Sequence, residues 1–316
     1  MPGRIRLVQA ETGTSDMKRP NPLFRNKTSK LAATPMIFIV LVVFIGSTMW
    51  TVASSFTSIK TLPIFTTREF YDAWVDFAKY DRLWNTPRWI TSITNLAIYG
   101  ILYSGFAFVI GFLLAVLMDQ KIRAEGVFRT IYLYPLALSF IVTGKVWAWI
   151  LNPAFGLEKT VRDMGWTSFS FDWLTNRDMA IYTVVIAGLW QGTGLVMALM
   201  LAGLRGIDDD IWRAARVDGI PKWRTYLQIV VPMMRPVMIT IFVIVASGSV
   251  RVYDLVLALT QGGPGNSSQV PSMYIYEKLF VGALAQGTAA SSVLLLATAI
   301  ILIPWIVVEF GKKNRV

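Results

Sequence analysis

The chain contains no cysteine and no histidine. Without thiols there is no disulfide framework and no cysteine nucleophile; without imidazole, the Cys/His zinc sets and the commonest acid-base catalyst are excluded as well. Charge is scarce: Asp, Glu, Lys and Arg make up 16% of the residues, against about 25% in soluble domains. A phosphate-binding G-x-x-x-x-G-K-[ST] loop is also missing, since Gly144-Lys145 is followed by Val146 and Ser139 stands where the first glycine belongs. Most familiar enzyme classes, and ATP binding through that loop, are therefore ruled out.

What is abundant is apolar. Hydrophobic residues make up 54% of the 316 positions, and the mean hydropathy is +0.53. A hydrocarbon core about 30 Å thick asks for roughly 20 consecutive apolar residues. Residues 32–59, 89–118, 179–204 and 279–308 carry no charge and each can span. Two more apolar stretches hold charges: 130–152 contains Lys145, and 229–260 contains Arg235, Arg251 and Asp254. The runs are long and do not alternate, so the expected fold is all-α and integral to the membrane, with six transmembrane helices.

A net charge of +11 would suggest nucleic acid in a soluble protein; in a membrane protein it marks cytoplasmic loops. Six spans leave both termini on one side. The segments on that side hold 18 Lys and Arg in 71 positions, and the opposite loops hold 9 in 85. Both termini are expected in the cytoplasm. Residues 1–30 are polar, basic and rich in Pro, Gly, Ser and Thr, and read as a disordered tail ahead of a six-helix domain over 31–316. Outside the spans, Phe70, Tyr71, Trp74, Phe77 and Ala78 predict an amphipathic helix within 68–84, and Tyr274, Ile275, Leu279 and Phe280 a shorter one.

The most informative stretch is 206–232. Asp208, Asp209 and Asp210 suit a helix N-terminus, Arg213 and Arg216 its later turns, and Gly219 followed by Pro221 its stop. A second helix begins near Pro221, with Trp223, Tyr226, Leu227, Val230 and Val231 on one face. Small Ala214 and Ala215 beside Ile211 allow close approach to another surface. The pattern describes a compact two-helix knob.

These residues resemble a known loop. Arg213-Ala214-Ala215, Asp218-Gly219, Tyr226, Ile229 and Val231-Pro232 follow the EAA loop of permease subunits of binding-protein-dependent ABC importers, E-A-A-x-x-D-G, an aromatic, then I-x-L-P. Leu259-Thr260 and Gly262-Gly263-Pro264 are similar to the L-T-x-G-G-P of carbohydrate-type permeases of the maltose-transporter kind. The resemblance covers the chain from residue 31 on. It implies a type I importer transmembrane domain in the bacterial cytoplasmic (inner) membrane, paired with a second permease subunit and fed by an extracytoplasmic binding protein. It also implies two ATPase subunits beneath, which would hold the ATP and magnesium; this chain would have no cofactor and no catalytic residue. The knob would be a coupling helix that docks on the ATPase through Ile211, Arg213, Ala214, Ala215, Asp218, Gly219, Ile220 and Pro221. Arg213 departs from the pattern by placing a base where the family has an acid. That implies a matching acidic group on the ATPase, or a local balance kept by the preceding aspartates.

The family's sugar contacts fall on the helix before this loop and on the helix before L-T-x-G-G-P. Carried over, they implicate Trp190, Gln191, Thr193 and Met197, and Gly248, Arg251, Val252 and Tyr253, with Asp254 expected to pair with Arg251 one helical turn away. Amides, hydroxyls and charges bond sugar hydroxyls, and aromatic faces cover C–H surfaces. A neutral mono- or short oligosaccharide is the expected cargo, with an acidic sugar or polyol phosphate as the alternative. Arg235 is placed to snorkel to the cytoplasmic boundary and Lys145 lies near the outer one. Trp89, Trp147, Trp149 and Trp305 read as interface or packing residues, and Gly192, Gly194 and Gly203 as close-packing positions. A lone secondary transporter would need more than one acid inside its spans, and a membrane enzyme would need a catalytic set that is not evident.

Overall fold

The structure, a computed structural model, describes residues 34–59, 72–120 and 122–313, with side chains as far as 307. The tail 1–30 and the aromatics Phe70 and Tyr71 lie outside the described residues. Every regular element among the described residues is helical, the sole β interaction there being an isolated bridge between Thr57 and Trp74.

The chain separates into two units, residues 1–50 and 51–316. Most of α1, Thr34–Ser54, belongs to the first, and its apolar side chains, Phe38, Val42, Phe44 and Trp50 among them, are exposed as a span requires. In the second unit, α2 is Ala78–Trp84 and α3 is Pro87–Met118. Among the described residues of the expected helix over 68–84, α2 covers only Ala78–Trp84, because Trp74 lies in the bridge and Asp76 takes a positive φ. Thr86 is extended and Pro87 opens α3, at the one place where a missing N–H costs nothing. Then come α4 (Glu125–Leu133), a 3-10 turn at Tyr134–Ala137, α5 (Phe140–Ile150), α6 (Leu157–Asp163) and α7 (Ala180–Arg205). The knob contributes α8 (Asp209–Val217) and α9 (Lys222–Met233). Last are α10 (Arg235–Ser249), α11 (Asp254–Leu259), α12 (Pro271–Phe280) and α13 (Leu284–Lys313).

Four helices, α1, α3, α7 and α13, are long and apolar enough to cross a membrane, and the count reaches six if each of two bent pairs forms one span. The bends correct the expectation of unbroken runs. Residues 130–152 are not one helix: α4 with its 3-10 turn meets α5 at 100°. Pro135 sits in that turn, and Ser139, extended at ψ 150°, caps α5 by accepting from the Val142 N–H at 3.2 Å. Residues 229–260 break twice, with a 75° bend between α9 and α10 ahead of Pro236 and a second interruption at 250–253.

The core lies where α3 runs along α7. Ala107 and Ala115 of α3 are buried with Val196, Met197, Met200 and Leu204 of α7. Glycine makes the approach possible. A Cβ at Gly111 would come 2.6 Å from Val196 Cγ1, one at Gly192 2.2 Å from the Tyr103 hydroxyl, and one at Gly194 2.0 Å from the Tyr132 carbonyl. Small residues are what membrane helices use to bring backbones together. Gly192, Gly194 and Gly203 all face other helices, as expected of packing positions.

Candidate functional site

The knob is built by local rules. Asp208 caps α8 by accepting from the Asp210 N–H at 2.9 Å, and Asp209 and Asp210 occupy the first turn, where the helix dipole favours acids. The other end is a Schellman motif: the Ile220 N–H reaches the Ala215 carbonyl at 3.0 Å, the Gly219 N–H reaches Arg216 at 3.2 Å, and Gly219 takes φ +70°. Trp212 and Tyr226 meet edge to face at 5.2 Å and join the two helices.

Of the eight residues expected to dock, Arg213, Ala214, Asp218, Gly219 and Pro221 are exposed, Ile211 and Ile220 are half-buried, and Ala215 faces inward. Arg213 Nη1 lies 3.3 Å from Asp210 Oδ1, so an aspartate of the same helix supplies a carboxylate beside the base that replaces the family's acid. Three residues of the knob lie outside the docking set that the resemblance implies. Val217 and Trp223 are 87% and 60% exposed, and inward-facing Trp212 holds the helices together. The spacing from Ala214 to Val217 carried that signal, since i and i+3 share a face.

The expected substrate positions do not all converge. Met197 is fully buried in the α3–α7 core, and the Thr193 hydroxyl donates to the Leu189 carbonyl at 2.6 Å within its own helix. Gln191 Nε2 donates to the Leu138 carbonyl at 2.7 Å, which pins the α4–α5 bend, while its Oε1 is buried without a partner. Trp190 is half-exposed and meets Trp147 edge on at 6.1 Å. Gly248 is exposed near the end of α10. Arg251 and Asp254 do not share a helical turn: the helix stops at Ser249, Arg251 lies in the break, and Asp254 opens α11. The expected ion pair between them is not formed. Buried Val252 gives its carbonyl to the Ser272 hydroxyl at 2.6 Å, and Tyr253 meets Tyr276 at 5.4 Å.

Beyond α11 a latch holds the loop that carries Gly262-Gly263-Pro264. Gly262 and Gly265 take positive φ, as do Gln261 and Asn266. Asn95 Nδ2 donates to the carbonyls of Ser267 and Gln269 at 2.7 and 2.9 Å. Arg88 Nε donates to Gln269 Oε1 at 2.6 Å, and its two terminal nitrogens clasp the Glu277 carboxylate. Burial pushes the Tyr274 phenol above its ordinary pKa, and its oxygen accepts from Gln286 Nε2 at 2.8 Å. Arg88, Asn95 and Glu277 carry no motif that would have singled them out, because their partners lie more than 170 residues away in sequence. A cavity of about 200 Å³ sits here, with Arg88, Tyr253, Gln261, Asn266 and Glu277 in its wall.

Among its described residues the chain is all-helical, with apolar helices long enough to span, a capped knob and a broken helix. Its fold matches the crystal structure of a bacterial alginate ABC transporter in complex with an alginate pentasaccharide-bound periplasmic protein, at TM-score 0.75 and 20% identity over 90% of this chain and 94% of that one. The model of the family described as binding-protein-dependent transport system inner membrane component matches residues 107–315, and the chain belongs to that family. It is 31% identical to a probable ABC transporter permease protein of Pyrococcus horikoshii, over 89% of this chain and 95% of that protein. It is 30% identical to the xylose/arabinose import permease protein XacH of Haloferax volcanii, over 88% and 86%. Family and helices together make it a multi-pass inner-membrane permease subunit.

Proposed function

We propose that this chain carries a sugar, a mono- or short oligosaccharide, through the membrane as one permease subunit of an ATP-driven importer. In this reading it crosses the bilayer six times with both termini in the cytoplasm, and each bent pair, α4–α5 and α9–α10, counts as one crossing. It partners a second permease subunit, takes cargo from an extracytoplasmic binding protein, and is driven by two ATPase subunits that bind the nucleotide.

The single observation that carries the coupling role is the Schellman-capped α8, a rigid helix presenting Arg213, Ala214 and Val217 outward. Closure of the ATPases would push on that helix. Motion would pass through the Trp212–Tyr226 contact into α9 and α7, and the spans would rock between outward and inward access. The substrate reading is supported by XacH, a xylose/arabinose import permease. Trp190, Tyr253 and Arg251, at the surface of α7 and in the break after α10, supply the stacking face and donors a sugar would use.

The test is ATP-dependent uptake by the assembled importer in proteoliposomes, with its binding protein and a panel of neutral pentoses, hexoses and disaccharides alongside acidic sugars. Uptake of a neutral sugar is expected. Uptake of acidic sugars alone would reverse the substrate reading, and uptake without ATPase subunits would reverse the mechanism.

A further inference from the structure

Just past the ends of α3 and α7 the chain lines an open cavity of about 550 Å³. Its wall comes from the helix ends, at Asp119, Gln120 and Arg205, and from the inward face of α8, at Asp209, Trp212 and Arg216, with Lys222 and Tyr226 of α9 completing it. Outward Arg213, Ala214 and Val217 are not part of it.

The charges around this space are unusual in their pairing. Arg205 is engaged with Glu125 at 2.7 Å, and the Tyr226 hydroxyl donates to Asp119 at 3.4 Å. Asp209, Arg216 and Lys222 share the wall; all three are exposed to solvent, and none of them forms an ion pair among the described residues. Two cations and a carboxylate facing one space are complementary to a ligand that carries both signs. A simple anion would answer Arg216 and Lys222 but face Asp119 and Asp209. The position narrows the choice further. Spans α3 and α7 end at Met118 and Arg205, so the cavity lies at the edge of the hydrocarbon, at the depth of lipid headgroups. Trp212 and Tyr226 are the residue types found at that depth, and basic pockets among membrane helices are known to take lipid headgroups.

We propose that this cavity holds the headgroup of a phospholipid bearing a phosphate and a primary ammonium, with Arg216 and Lys222 on the phosphate and Asp209 on the ammonium. Such a headgroup ties α8 to the ends of α3 and α7 from within. The knob's position would then depend on the membrane it sits in. A choline headgroup has no N–H to give Asp209, and a glycerol headgroup has no cation for it, so discrimination among lipids rests on that carboxylate. The proposal does not depend on which solute is carried.

The experiment is native mass spectrometry of the full chain released from detergent with equimolar phosphatidylethanolamine, phosphatidylglycerol and phosphatidylcholine. One phosphatidylethanolamine should be retained about tenfold over each of the others, the worth of one charge-assisted hydrogen bond. Arg216→Gln combined with Lys222→Gln should lose that retention, and Asp209→Asn should shift the preference to phosphatidylglycerol. Equal retention of the three lipids by the unaltered chain overturns the proposal, as does unchanged retention in the double variant. Where the double variant fails to fold, the lipid competition in the unaltered chain and in Asp209→Asn decides alone. Soluble phosphoethanolamine is the last arm: displacement of the lipid by an equal concentration assigns the site to a soluble zwitterion and overturns the lipid assignment.

Discussion

The Ile220 N–H donates to the carbonyl of Ala215 at 3.0 Å, and the chain can close that bond because Gly219 between them turns to φ +70°. The left-handed turn sets where α8 ends and where Pro221 starts α9. A Cβ at Gly219 would meet nothing within 4 Å. The demand for glycine is therefore conformational and not steric.

Two substitutions at Gly219 separate these effects. Gly219→Val forces a β-branched residue into that conformation at a cost of about 1–2 kcal/mol or more, and should abolish substrate-stimulated ATP hydrolysis in the assembled importer with membrane insertion intact. Gly219→Asn tolerates the same φ and should keep most of the stimulation. Equal behaviour of the two variants would remove the conformational argument, which ATPase assays with and without loaded binding protein would show.

The α3–α7 seam gives a stability prediction. A Cβ at Gly192 meets the Tyr103 hydroxyl at 2.2 Å, with the ring carbons farther off at 3.1 Å. Gly192→Ala should destabilise the detergent-solubilised chain by about 1–3 kcal/mol, the usual cost of overpacking. Tyr103→Phe in the same chain should recover part of that loss. The melting temperatures of the two single variants and the double variant form a cycle, and additive effects would mean that the two residues do not meet.

The latch on the Gly262-Gly263-Pro264 loop predicts coupling across 189 positions. Arg88 and Glu277 are about two-thirds buried, so Arg88→Ala should cost about 1–2 kcal/mol, between the values of exposed and buried pairs. Glu277→Ala should cost a similar amount. The double variant should lose little more than either one, and thermal unfolding of all three checks it.

Much of this fold can be read directly from residue order, and the rest cannot, for identifiable reasons. Charge-free runs such as 89–118 and 179–204 place α3 and α7, because the hydrocarbon core leaves few alternatives. The knob is legible too, since caps and glycine stops act within a few residues. The interruptions are not. Residues 130–152 read as one apolar run, yet Leu138 gives its carbonyl to Gln191 on another helix and Ser139 starts a new one. The Arg251–Asp254 pair assumed a continuous helix, and a serine twenty positions on takes the Val252 carbonyl inside the break. Met197 follows the same logic: the family motif marks its helix, but only packing reveals that its side chain turns toward α3.

Arg251 is exposed and unpaired in the break after α10. In the proposed path it donates to cargo, so Arg251→Gln should raise the KM for uptake several-fold and leave the stability within about 0.5 kcal/mol of the unaltered chain. A fall in stability with unchanged KM would assign Arg251 a structural role. Transport kinetics and a thermal melt on the same preparation distinguish the two.

The central claim, that the outward face of α8 meets the ATPase, has a direct test because the chain has no cysteine of its own. Val217→Cys places a single thiol on that face, where Val217 is 87% exposed. In membranes containing the whole importer, a short bifunctional thiol-amine reagent should link this position to an ATPase subunit, and the yield should change when ATP and loaded binding protein are added. A Trp149→Cys control, exposed on α5, should give no such product. Absence of the ATPase adduct from Val217→Cys in an importer that still transports would contradict the account.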